Sequence, residues 1–269
     1  RRSSDLDSGH INVHETGAVE ASGHKVLAQP SIEGKLTAAQ IQAYVQWHKQ
    51  NGAREHIVMP KMVYISNPTE YGTLYTKKEL EDISRVCREE DLYLYLDGAR
   101  LGYGLCAEGN DLTLPDIFRL CDVFYIGGTK CGALFGEAVV IRNENLKKDF
   151  RYMIKQMGGM LAKGRLLGIQ FETLFEDGLY MKICRHAIVQ AMRIKAALTA
   201  KGVSFVIDSP TNQQFPILED AVIKKIGQKY GYDEDQRIDE AHCAIRFCTS
   251  WATKTEDVDA LIEDLNQWL

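Results

Sequence analysis

MPKMVYISNPT (59–69), TKKELEDISRVCREED (76–91) and LYLYLDGAR (92–100) decide the fold of this chain. The first and third are apolar runs of strand length, and the second sets Leu80, Ile83 and Val86 on one helical face behind Thr76. A crossover of this length joins parallel strands, and the runs MVYI and LYLYL suggest a sheet covered on both faces. Working outward, HKVLAQP (24–30) reads as a short strand, and LTAAQIQAYVQWHKQ (36–50) as an amphipathic helix with Leu36, Ile41, Tyr44, Val45 and Trp47 at helical spacing. DVFYIGGTK (122–130) and ALFGEAVVIR (133–142) add two strands. The fold class is therefore α/β, a mainly parallel sheet with covering helices.

Past Asn143 the texture changes. Residues 146–202 are helical in pattern, broken by the glycines at 158, 159, 164, 168 and 178 and ended by Gly202. VSFVID (203–208), QFPILE (214–219) and CAIRFCTSW (243–251) then read as strands, and DAVIKKIGQKYG (220–231) and TKTEDVDALIEDLNQWL (253–269) as helices. Thr253 and Glu256 have the spacing of a capping box for the last helix. The expected division is a large domain over 1–145, a connecting segment over 146–165, and a smaller α+β domain over 166–269.

The 269 residues suffice for this arrangement, and 45% hydrophobic with 26% charged residues is the mix of a globular protein rather than a fibrous one. A formal charge of −5 without basic runs excludes a general attraction to nucleic acid or acidic membranes, and points to a small-molecule partner. No apolar stretch approaches the ~18 residues of a membrane span. The seven cysteines, at 87, 106, 121, 131, 184, 243 and 248, are odd in number and have no CxxC spacing. They read as reduced core thiols of a cytoplasmic protein, and no metal site is expected.

Chemistry gathers at strand ends. Lys130 follows an apolar strand in YIGGTKCGALFG, among the small residues at 127, 128, 132, 133 and 136. Such a turn desolvates an amine and frees it for covalent work, although a plain surface lysine in a turn has the same sequence. Asp97 and Arg100 follow the strand LYLYL, where charges point into the crevice in which open α/β sheets bind ligands. Taken singly, Asp97 also reads as the cap of its own turn. An Asp at one strand end and a Lys at the next place an acid and an amine at one site.

The order DGAR, GGTK, KQMGGMLAKGR and IRFCTSW resembles the threonine aldolase and β-eliminating lyase branch of the fold-type I enzymes that depend on pyridoxal phosphate. The resemblance spans essentially the whole chain and implies an aspartate-aminotransferase-like large domain. HINVHETGAVEASG matches the family segment whose histidine stacks on the cofactor ring, which points to His10; His14 is left as structural. By resemblance, Lys130 holds the cofactor as an aldimine, and Asp97 pairs with the pyridine nitrogen to make the ring an electron sink. His10 lies on the ring and takes the proton of a substrate β-hydroxyl. Asn67 stands near the phenolic oxygen and Thr129 near the phosphate, while Arg100 meets the substrate carboxylate.

Arg246 is the second carboxylate candidate that the resemblance implies, because an arginine inside a strand as apolar as AIRFCTSW needs a partner. An edge strand with Arg246 facing water is the other reading. The run KQMGGMLAKGR resembles a segment that reaches a neighbouring subunit's phosphate through Lys163 or Arg165, which implies a homodimer or homotetramer.

Two departures accompany the resemblance. The family begins with a further segment whose glycine-rich turn cradles the cofactor phosphate, so the chain reads as truncated or incompletely ordered. Threonine aldolases carry a histidine where SNPTEYGT has Glu70 or its neighbour. The expected activity is cleavage of threonine or a related β-hydroxy amino acid to glycine and an aldehyde. β-Elimination, transamination or racemisation on the same cofactor, and a non-catalytic remnant of the fold, are the alternatives.

Overall fold

The computed structural model describes residues 3–6 and 9–269. Six strands form the main sheet: β1 (Ser3–Leu6), β2 (Val26–Gln29), β3 (Met62–Ser66), β4 (Tyr93–Asp97), β5 (Val123–Ile126) and β6 (Ala138–Ile141), in the order β2-β1-β3-β4-β5-β6. Every pairing is parallel except β5 with β6. The early helices are α1 (His10–Val13), α2 (Ala18–Ala21), α3 (Ala38–Gln50), α4 (Lys77–Glu89), α5 (Leu101–Cys106) and α6 (Leu114–Leu120). The crossover read from 59–100 is β3-α4-β4, and Thr76 opens α4 through a capping box closed by Glu79.

Period-two alternation gives the sheet two different faces. Val63, Ile65, Leu94, Leu96 and Phe124 point into the core, each at most 3% exposed. Tyr64, Ser66, Tyr95, Asp97 and Tyr125 occupy the other face. This second face is more polar than the runs MVYI and LYLYL suggest: Tyr64, Ser66, Asp97 and Tyr125 line a cleft on it. Leu96 lies between Ile65 and Phe124 in register and is fully buried. Leu96→Ala should cost about 2–5 kcal/mol by the cavity it leaves. The check is a lowered urea midpoint at unchanged m; an unchanged midpoint would mean that the layer repacks.

The rest of the chain holds α7 (Phe150–Gln156), α8 (Arg165–Phe175), α9 (Leu179–Ala200), β7 (Gln213–Gln214), β8 (Ile217–Glu219), α10 (Asp220–Ile226), β9 (Asp233–Arg237), β10 (His242–Cys248) and α11 (Thr255–Trp268). A second, antiparallel sheet has β10 at its centre, with β7 and β8 in one register along one side and β9 along the other. Packing changes from one core to the other inside α9. Leu174, Tyr180, Cys184 and Ile188 belong to the first core, whereas Ile194 and Leu198 join the second with Leu218, Ile245 and Leu261. Gly168 lies within α8 and does not break it.

Three local expectations fail for identifiable reasons. Residues 203–208 contribute only an isolated bridge from Phe205 to Pro216, and Pro216 also divides 214–219. Thr253 accepts from Ser250 N at 2.8 Å instead of capping α11, whose N-cap is Lys254. The exposed strand β9, DEDQR, carries no apolar alternation by which the sequence could announce it. All seven cysteines are free, and five of them are buried. Among the described residues no helix is long and apolar enough to cross a membrane.

Candidate active site

Beyond the carboxyl ends of β3, β4 and β5 lies a cleft of about 480 Å³ whose walls include His10, Tyr64, Ser66, Glu70, Asp97, Arg100, Tyr125, Lys130 and Glu137. It occupies the crevice that open α/β sheets offer to ligands. Two glycines bring its chemistry together. A Cβ on Gly98 would lie 1.9 Å from Tyr125 O, and one on Gly127 would lie 2.2 Å from Ala99 O. Only residues without side chains let the exits of β4 and β5 run backbone to backbone, and Gly127 N donates to Gly98 O at 2.8 Å across that seam. Tyr180 pins it from α9, accepting from Gly102 N at 3.1 Å and donating to Gly127 O at 2.8 Å.

Asp97 is 8% exposed, and its carboxylate accepts the hydroxyls of Tyr64 and Tyr125 and, at 2.9 Å, the amide of Ala99. Burial first and the Asp97 charge second push both tyrosine hydroxyls far above the usual phenol range, so they stay protonated and donate. Tyr95 stacks on Tyr64 with ring centroids 5.0 Å apart, and burial pushes its own hydroxyl up to about 12. The cap reading of Asp97 and the site reading hold together, since one oxygen takes Ala99 N while the carboxylate faces the cleft.

Lys130 stands in the turn after β5, where Tyr103 donates its hydroxyl to the Lys130 carbonyl. Its side chain reaches solvent through the cleft mouth, yet the surrounding protein desolvates it. Desolvation, then the charge of Arg100, holds the ammonium below the usual lysine range, against the opposing pull of Asp97 and Glu137. Arg100 precedes α5, and its Nε is buried without a hydrogen-bond partner. A buried guanidinium donor left open in a cleft suits an anionic ligand. His10, half-exposed on α1, holds Glu15 Oε1 through Nδ1 at 2.7 Å, which leaves Nε2 for a ligand.

His10, Asp97, Arg100 and Lys130 therefore meet in one cleft, whereas five other sequence candidates do not line it. Asn67 is buried with its Oδ1 accepting from Tyr75 N at 3.1 Å. Thr129 is exposed and points its hydroxyl at Gly136 O, 3.5 Å away. Lys163 and Arg165 are exposed at the start of α8. Arg246 is on a strand paired along both sides, not an edge, and bonds Asp233 Oδ2 at 2.7 Å and Gln213 Oε1 at 3.2 Å. Gln213 in turn donates to Glu70 O at 3.1 Å, so Arg246 reaches the cleft wall through one intermediary.

The sequence reading missed Tyr64, Tyr125 and Glu137. For the two tyrosines a signal was present: hydroxyls at alternate positions of otherwise apolar strands, in step with Asp97, mark one face as polar.

The model of the beta-eliminating lyase family matches residues 3–244. The chain belongs to that family. Its members are pyridoxal-phosphate-dependent lyases, and this chain is an enzyme of that class. It is 32% identical over 263 residues to the low specificity L-threonine aldolase of Pseudomonas aeruginosa, a match covering 96% of this chain and 74% of that one. A threonine aldolase structure from Leishmania major superposes with a TM-score of 0.95 at 47% identity, covering 99% of this chain and 77% of its own. Thermus thermophilus aspartate aminotransferase, at 16% identity and a TM-score of 0.68 over 100% of this chain and 70% of its own, shares the fold.

The cleft fits the family's cofactor on its own chemistry. A buried carboxylate held by three donors, a desolvated amine and an unpartnered guanidinium nitrogen suit a cationic ring nitrogen, a carbonyl carbon and an anion respectively.

Proposed function

We propose that this enzyme cleaves threonine or a related β-hydroxy amino acid to glycine and an aldehyde, with pyridoxal phosphate in the cleft. The observation that carries the reading is the convergence of Lys130, Asp97 and Arg100 on one cleft at the ends of neighbouring parallel strands. The bound cofactor supplies an electron sink for the pair left on Cα. Lys130, lowered toward its neutral form, is the point of covalent attachment and afterwards a proton carrier. Asp97 holds a proton on the ring nitrogen, His10 packs against the ring, and Arg100 Nε takes the substrate carboxylate into the buried position it leaves open.

The test is product analysis of the purified protein with pyridoxal phosphate and L-threonine. Glycine and acetaldehyde should form in equal amounts. Ammonia with a 2-oxo acid would assign elimination instead, and no turnover at saturating cofactor would discard both. We also propose a homodimer or homotetramer, on the observation that Leu134, Tyr152, Met157 and Leu161 are all more than half exposed around the segment carrying Lys163 and Arg165. Those two side chains would then reach the neighbour's phosphate. Light scattering should find an oligomer at micromolar concentration, and a fully active monomer would refute the assembly.

A further inference from the structure

Glu70 stands in a turn that the fold holds from several sides. Thr69 N donates to Thr73 O and Gly72 N to Thr69 O, each at 2.9 Å. From the region of the second sheet, Ser209 Oγ donates to Gly72 O at 3.2 Å and Gln213 Nε2 to Glu70 O at 3.1 Å. At Gly72, φ is +74° and a Cβ would lie 2.3 Å from Ser209 Oγ, so the turn is pressed against its neighbours and has one shape. The carboxyl group it presents is fixed on one side only. Oε1 accepts from Ser66 Oγ at 2.9 Å and from His10 N at 3.2 Å, while Oε2 is buried and without a hydrogen-bond partner.

A buried carboxyl oxygen without a donor is expensive, and at a cleft wall a ligand is the donor that relieves it. Lys130 and Asp97 are assigned to the cofactor, and Arg100 to the substrate carboxylate. The polar group of a β-hydroxy amino acid still without a partner is its hydroxyl. We propose that Glu70 Oε2 takes the proton of the substrate β-hydroxyl as the Cα–Cβ bond breaks, an assignment that rests on the aldol-cleavage reading above. The O–H pair becomes the second bond of the aldehyde carbonyl, the Cα–Cβ pair stays on Cα, and Cα takes up one proton to become glycine. Protons and electrons balance without water, oxidant or further reactant.

The surroundings suit the task. Burial pushes the Glu70 acid above the usual carboxylate range against the hydrogen bonds from Ser66 and His10 that hold it down, and the Asp97 charge adds a smaller push upward. The charged groups around the cleft are His10 and Glu15 from the α1 side, Asp97 and Arg100 after β4, and Lys130 and Glu137 across from them. His10, with Nδ1 engaged by Glu15, keeps the packing role.

The experiment compares wild type with Glu70→Gln in three readouts: the absorption spectrum with pyridoxal phosphate, acetaldehyde release from L-threonine, and exchange of the glycine Cα proton in deuterated water. Glycine has no β-hydroxyl, so its exchange needs the cofactor machinery and not this base. The spectrum and the exchange should be retained while threonine cleavage falls about 10²-fold, within the range of one lost proton transfer. The limb of the cleavage pH profile owed to Glu70 should also vanish. Should Glu70→Gln misfold, Glu70→Asp keeps a carboxylate and should show reduced cleavage with a displaced limb. Cleavage unchanged in Glu70→Gln, or exchange lost in step with cleavage, would overturn the assignment. A wild type that exchanges glycine but never cleaves threonine would overturn the aldol reading instead.

Discussion

Lys130→Ala should bring threonine turnover to background and remove the point at which borohydride fixes the cofactor to the chain. Two losses combine in this variant. The amine that attaches the cofactor is gone, and so is a proton carrier at Cα, whose removal alone is worth about 10²–10⁴-fold. The turn should survive the change, because it is built from the backbone: Cys131 N donates to Gly128 O at 2.8 Å, Ala133 N to the same oxygen at 2.9 Å, and Tyr103 holds the Lys130 carbonyl. Peptide mapping of the reduced wild type should place the label on Lys130. A label on another lysine, or substantial turnover in Lys130→Ala with native-like unfolding, would sink the assignment.

The reasons that Lys130 was legible in the sequence also explain what was not. A lysine between glycines at a strand end is a local pattern, and so is an Asp after LYLYL; both sites follow from short windows because strand order places neighbouring parallel strands side by side. Arg100, three residues beyond Asp97, travels with them. The parallel β3-α4-β4 unit was legible for the same reason, with a capping residue, an apolar stripe and two apolar runs inside 42 residues (59–100). For Asn67 and Arg246 sequence shows a polar residue in an apolar setting but not its partner. Tyr75 N claims the first, and Asp233 with Gln213 claims the second.

Glu70 shows the same limit from the other side. Its own stretch supplies Ser66, and its other neighbours, His10 and the second sheet's Gln213, come from two further stretches far away in sequence. Only the folded chain tells a surface carboxylate in SNPTEYGT from one with a buried, unclaimed oxygen. The tyrosine face was missed for a different reason. Tyr64, Tyr95 and Tyr125 count as apolar in a periodicity reading, and their hydroxyls decide the face only once Asp97 is seen among them.

Asp97→Asn should fold and load cofactor yet lose turnover by about 10³-fold, the scale of removing one preorganised electrostatic contact to the transition state. The amide has the shape of the carboxylate. Its oxygen can keep the bonds from Ala99 N and Tyr125, and its NH₂ can donate to the Tyr64 oxygen, so the three contacts persist with one direction reversed. Thermal stability should therefore move by no more than the ~1 kcal/mol of a single neutral hydrogen bond. What disappears is the negative charge at the floor of the cleft, and with it the means of keeping the ring nitrogen protonated as charge develops on Cα. Cofactor titration separates the two effects, since affinity draws on several contacts and turnover on this charge. Turnover within a few-fold of wild type at saturating cofactor would remove Asp97 from the mechanism, while loss of folding would make it a residue of the core.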